Sequence, residues 1–255
     1  STNSCAFCLN FSISILVAFA KRSTMLSYGS QDSVKINLSM EMQTPSLPVS
    51  SPPPFWSKAR RYLIKADPVL ATILKRHRSE KLVPRGDAFF SLARSIIGQQ
   101  ISVKAAQSVS DKLAAELGEI TITTVATAGR KRLRGCGLSR QKSLYLYDLA
   151  NHFKEGALNT QQWHNLDDQD VIKQLTQFKG IGPWTAEMFL IFHMMRPDVL
   201  PLADLGIQKA MRVNFNKGNS MSKEEMVAKA EPWRPWRSVA VWYLWRSLDP
   251  LPVAY

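Results

Sequence analysis

From Phe55 onward, apolar residues return every three or four positions, with Gly, Pro or Ser punctuating the runs. That spacing predicts helices rather than strands. Over residues 87–97, Phe89, Leu92, Ala93 and Ile96 fall on one face and Gly98 then interrupts. Ser102 is placed to cap a following helix whose Val103, Ala106, Val109 and Leu113 turn inward. A further helix is expected to open at Ser139 and run to about Phe153. The segment 121–127, TITTVAT, is the one clear β-branched run, and it is too short to make a sheet alone. No internal repeat of solenoid length is present, and the fold class expected is all-α.

The most informative stretch is residues 167–195, DDQDVIKQLTQFKGIGPWTAEMFLIFHMM. Val171, Ile172, Leu175 and Phe178 make one apolar helix stripe, Gly180-Ile181-Gly182 turns the chain tightly, and Pro183 suits the first position of a second helix. This is a helix–hairpin–helix pattern. Glycines without Cβ let a backbone approach a phosphate closely, and the free N–H groups at the start of the second helix point toward an anion. Ile181 is placed to plug the turn into the core, while Lys179 adds positive charge. A lone Gly-x-Gly turn is often only a tight loop; Pro183, Thr185 and the flanking helices are what make the pattern specific.

Charge changes the picture. The 255 residues hold 33 Lys+Arg against 20 Asp+Glu, a formal net charge of +13, and twelve units of that surplus fall after residue 52. A surplus of that size on a folded part points to a polyanionic partner. Six Lys/Arg crowd the segment GRKRLRGCGLSRQK at 129–142, which is either a solvated face or a phosphate contact. Three cysteines, Cys5, Cys8 and Cys136, are too few for a disulfide framework and one short of a four-thiolate cluster. His77, His152, His164 and His193 do not form ligand pairs, so no metal centre is expected.

Residues 1–52 read differently. CAFCLNFSISILVAFA at 5–20 is apolar over sixteen residues, short of the roughly 20 that a membrane helix needs. Its basic residues, Lys21 and Arg22, follow the run, where a signal peptide would place them before it. The remainder, rich in Ser and ending in SLPVSSPPP, reads as a disordered or targeting-like extension, with the folded domain at 53–255.

Four segments, FFSLARSIIGQQIS (89–102), GLSRQKSLYLYDLA (137–150), LTQFKGIGPWTAEMFLIF (175–192) with LPLADLGIQKA (200–210), and PWRPWRSVAVWYLW (232–245), resemble the helix–hairpin–helix (HhH-GPD) DNA glycosylases. Within them the resemblance is to the DNA-3-methyladenine glycosylase II family, and it runs from about Phe55 to Leu248. It implies two helical subdomains with an active-site cleft between them. It also implies a catalytic carboxylate about twenty residues after the hairpin, a position that Asp204 matches. Read alone, an Asp ahead of LGIQKAMRVNF is a helix N-cap. The two roles are compatible, because a helix N-terminus favours an ionised carboxylate. Breaking an N-glycosidic bond develops positive charge on the deoxyribose, and an anion facing it lowers the barrier.

The resemblance also assigns Trp184, Met188 and Trp245 to a pocket for an extruded base, with Met188 standing where the best-known relatives have an aromatic residue. Gln100 or Ile101 matches the wedge that enters the vacated stack, with Gln99 as support. Lys179, Gly180, Ile181, Gly182 and Thr185 match the DNA-gripping hairpin. Bifunctional relatives carry a nucleophilic Lys at the second position after the hairpin's last Gly; here that position is Trp184, so the resemblance implies no lyase step.

The function implied is excision of alkylated purines, of the 3-methyladenine and 7-methylguanine class, leaving an abasic site. No cofactor is required, although a monovalent cation can sit on hairpin carbonyls in a relative. The expected partner is double-stranded DNA containing damaged bases. The expected form is a monomer with no membrane partner, kept with DNA in a bacterial cytoplasm or nucleoid, or in a nucleus or organelle. Three alternatives stand beside it: a helix–hairpin–helix module that binds DNA without catalysis, a bifunctional glycosylase/lyase for oxidised bases, and a protein anchored to a membrane through residues 5–20.

Overall fold

The structure is a computed structural model that describes residues 51–84, 87–101, 103–158, 160 and 162–248. The apolar run 5–20, the Cys5/Cys8 pair and the Ser102 cap therefore lie outside the described residues. The described residues form eleven α-helices and no strand. They are α1 (Trp56–Ala66), α2 (Pro68–Arg76), α3 (Ala88–Gly98), α4 (Val103–Leu117), α5 (Ile122–Gly135), α6 (Arg140–Lys154), α7 (Asp168–Leu175), α8 (Pro183–Phe192), α9 (Leu205–Phe215), α10 (Lys223–Ala230) and α11 (Arg237–Leu248).

Helix boundaries follow local chemistry. Asp67, Asp87, Ser139, Asp167, Asp204 and Ser222 each accept a backbone N–H of the first turn they precede, removing one of the orphan donors every helix start carries. The β-branched run 121–127 is helical: the side chains of Thr121 and Thr124 each bond the other's backbone N–H, a reciprocal cap that outweighs a weak strand preference. At Gly129, φ is +66°, so α5 breaks there and the basic residues 130–134 ride on a short second segment.

The helices pack in two groups. α1, α2, α9 and α11 pack on one another with α10 beside them, so the first and last described helices share one lobe, while α3–α8 form the other. Phe89, Leu92, Ala93 and Ile96 are all buried on α3, as is Leu113 on α4. Of the tryptophans, Trp56, Trp163, Trp233 and Trp242 are core residues, and Trp236 stacks on Phe55.

Asp67 holds the first lobe together. Its carboxylate caps α2 through the amides of Val69 and Leu70, pairs with Lys229 of α10 at 2.9 Å and accepts the Trp233 indole N–H at 3.3 Å. Burial opposes its charge, but Lys229 and these donors more than offset that, holding its pKa below the usual carboxylate range. Asp67→Ala removes a cap and one side of a largely buried pair, so chemical denaturation is expected to show a loss of about 2 kcal/mol. A loss below about 0.5 kcal/mol would contradict this account.

Candidate functional site

The site is built where α8 of one lobe meets α9 and α11 of the other. The chain leaves α7, turns through 176–182 and enters α8 at Pro183, which occupies the first helical position. Ile181 is buried at 4% exposure and anchors the turn, while Lys179 faces solvent. Gly180 adopts φ +91°, and a Cβ there would sit 2.5 Å from the Tyr145 ring, so both conformation and packing require glycine. Gly182 precedes α8 with ordinary extended geometry and no side chain caps the helix, leaving its start open to an anion.

Gln99 ends α3 and turns toward the hairpin: its amide donates to the Gly180 carbonyl at 2.8 Å and to the Thr185 hydroxyl at 3.3 Å. Lys142 of α6, which the sequence did not single out, donates to the carbonyls of Ile97 and Gln99. Burial lowers the Lys142 pKa. The loop after α3 is thus fastened from both sides, and the next two residues project: Gln100 is exposed with φ +57°, and Ile101 is 40% exposed. A non-glycine residue in the left-handed region costs roughly 1 kcal/mol and persists only where its surroundings hold it.

Asp204 lies 4% exposed at the start of α9. Its Oδ1 accepts the Ile207 amide at 2.7 Å and the Trp245 indole N–H at 2.8 Å; its Oδ2 accepts the Trp184 indole N–H at 2.8 Å. Three helices therefore supply the donors to one carboxylate. Trp245 stacks on Phe192 with ring centroids 5.5 Å apart. Met188, one turn beyond Trp184, is buried in the wall of a cavity of about 240 Å³ that it shares with Phe189, Phe192, Arg94 and His193. Asp204, Trp184 and Trp245 do not line that cavity. The structure thus gathers Asp204, Trp184 and Trp245 at one point and Gln99, Gly180 and Thr185 at a second, with Met188 facing a separate space.

A family model for the HhH-GPD superfamily of base excision DNA repair proteins matches residues 93–235, more than half of the chain. The chain belongs to that superfamily. The matched HhH-GPD segment contains the hairpin, the loop after α3 and Asp204, and stops short of Trp245. DNA-3-methyladenine glycosylase 1 of Schizosaccharomyces pombe is 30% identical over 182 residues, covering 70% of this chain and 80% of the yeast protein. A Bacillus subtilis relative is 30% identical over 188 residues, 71% of this chain; the match spans just under two thirds (66%) of the relative's own length. Among solved structures, the S. pombe 3-methyladenine DNA glycosylase in complex with abasic DNA superposes with a TM-score of 0.66 at 28% identity, over 78% of this chain and 99% of that one.

Two further residues at this HhH-GPD site escaped the sequence reading. Glu187 is the one charged residue of α8, three positions after Trp184; burial and then the Asp204 charge push its pKa up to about 7. The signal was a solitary acid in an otherwise uncharged helix. Gly206 follows Asp204 by two residues, and a Cβ there would lie 3.0 Å from Asp204 Oδ1 and 3.1 Å from Nε1 and Cδ1 of Trp245. The indole is clamped between Phe192 and the Asp204 hydrogen bond and has little room to retreat. Gly206→Ala gains up to about 1 kcal/mol in helix propensity and loses about 1–3 kcal/mol to overpacking. Equilibrium denaturation is expected to show a net destabilisation of about 1 kcal/mol; a net gain would contradict the tight contact.

Proposed function

We propose that residues 53–255 form a monofunctional DNA glycosylase that extrudes alkylated purines of the 3-methyladenine and 7-methylguanine class and hydrolyses their N-glycosidic bond, leaving an abasic site. The observation that carries the reading is the Asp204 carboxylate, bonded by the indoles of Trp184 and Trp245 and by its own helix, with no Lys or Arg paired to it among the described residues. A carboxylate held this way keeps its charge for an incoming cation rather than spending it on an internal partner.

The chemistry follows from charge. Alkylation at a ring nitrogen makes the purine cationic, so it leaves as a neutral base and needs little acid assistance. The positive charge passes to the deoxyribose as the bond stretches. An anion about 4 Å from that charge, at an effective dielectric near 20, stabilises it by about 4 kcal/mol, on the order of 10³ in rate. Water then adds to the anomeric carbon. The two indoles orient the carboxylate, and their faces suit an electron-poor base.

The hairpin amides and Lys179 grip a phosphate next to the lesion, and Gln100, with Ile101 beside it, fills the vacated stack. Bond cleavage needs no cofactor. Carbonyls of the hairpin turn have the donor chemistry for a monovalent cation, which would add positive charge facing that phosphate; Gln99 already engages one of them, at Gly180. The protein acts as a monomer on double-stranded DNA, in whichever compartment holds that DNA, and residues 1–52 are an extension outside the catalytic domain. No described helix is long and apolar enough to cross a membrane.

Among the described residues no amine donates to Asp204: the groups that do are two indoles and a backbone amide, which favours hydrolysis over Schiff-base chemistry. Incubation with methylated duplex is expected to release free 3-methyladenine and 7-methylguanine and to leave sites that break only on added alkali. Binding of duplex without base release would favour a DNA-binding module. Strand scission without alkali, with an adduct trapped by borohydride, would favour a bifunctional lyase.

A further inference from the structure

Among the described residues, four other wholly or partly buried carboxylates meet a cation. Asp67 pairs with Lys229, Asp168 with Arg196, Asp198 with Arg234 and Arg237, and Glu80 with Arg246. Glu187 breaks that pattern. It projects from α8 one turn after Trp184, whose indole holds Asp204. Its Oε2 is closed to solvent and has no hydrogen-bond partner, and none of the ion pairs among the described residues includes it.

The charged residues on α3 and α7, which pack on α8, are Arg94, Asp168, Asp170 and Lys173; those on α9 and α11, which meet α8 through Asp204, are Asp204 itself, Lys209, Arg212, Arg237 and Arg246. The Asp204 charge acts on Glu187, and it is of like sign. An unpaired, buried carboxyl in the field of a second carboxylate is costly wherever it is ionised. In a chain with a surplus of thirteen positive charges, a pair of acids without a cation is a site that lacks its counter-charge.

We propose that Glu187 is a second carboxyl of the Asp204 site whose missing counter-charge is the positive charge of the reacting nucleotide, so that it selects cationic over neutral nucleotides. This rests on the glycosylase reading. Empty, the site tolerates the pair because Glu187 binds a proton below about pH 7. A cation entering beside Asp204 favours the ionised Glu187 carboxyl, so that proton is released to bulk solvent and the cation meets two negative charges instead of one. A neutral nucleotide gains nothing from the second carboxyl and displaces no proton. The selectivity for cations therefore grows as pH rises through 7.

The test compares two duplexes with identical flanking sequence. In one, a protonated pyrrolidine replaces the target nucleotide and mimics the cationic sugar; in the other, a neutral tetrahydrofuran abasic site stands in its place. Wild type is expected to prefer the cationic duplex, and the preference should rise between pH 6 and pH 8. Glu187→Gln should keep its affinity for the neutral duplex, lose about tenfold of the preference at pH 8, and show no rise with pH.

The variant should fold. A carboxyl whose pKa is raised in the folded state contributes stability at low pH that is lost as pH rises through about 7, so Glu187→Gln should melt no lower than wild type at pH 8. If wild type shows no preference for the cationic duplex, the glycosylase reading itself fails. If wild type prefers it and Glu187→Gln retains the full preference, or if the wild-type preference is flat from pH 6 to 8, that reading stands and Glu187 is not the second charge.

Discussion

One carboxylate shared among three helices is the constraint on which this structure turns. Asp204 begins α9, takes the indole N–H of Trp184 from α8 and that of Trp245 from α11, and is nearly buried. A buried carboxylate without an opposing cation is tolerated only when its lone pairs are well occupied by donors, and the two indoles and the Ile207 amide occupy them. The same bonds join the lobe of α3–α8 to the lobe containing α9 and α11. Holding the anion and holding the lobes in register are therefore one task.

The proposed phosphate site and the Asp204 site also share a helix. α8 starts at the uncapped end that suits a phosphate, and its second residue is Trp184. A phosphate bound at the hairpin thus fixes the position of one indole that holds Asp204. Behind the hairpin, Gln99 bonds to Gly180 and Thr185, and Lys142 bonds to Gln99, so the projecting Gln100 and Ile101 are referenced to the same turn. Hairpin, projecting loop and carboxylate are thus linked by contacts, as the proposed placement of an extruded nucleotide demands.

What the sequence showed of this arrangement was the local part. Helical spacing, the role of Pro183 at the start of α8, the plug at Ile181 and the N-cap at Asp204 are written within a few residues of each other and were readable. The run TITTVAT illustrates the limit of composition, since two threonines three apart cap a helix that β-branching would discourage. The contacts that complete the site are distant in sequence. Trp245 reaches Asp204 across 41 residues, Lys142 reaches Gln99 across 43, and Gln99 reaches Gly180 across 81. No local pattern encodes that Gly206 must lack a Cβ to admit the Trp245 ring, nor that Oε2 of Glu187 is buried with no hydrogen-bond partner among the described residues.

The account stands on the negative charge at position 204 acting on the sugar. Its most direct test is the single-turnover rate of 3-methyladenine release from methylated duplex by Asp204→Asn, which keeps the side-chain shape and removes the charge. The account predicts a loss of about 10³ with duplex affinity retained. A rate within tenfold of wild type, at equal affinity, would contradict it.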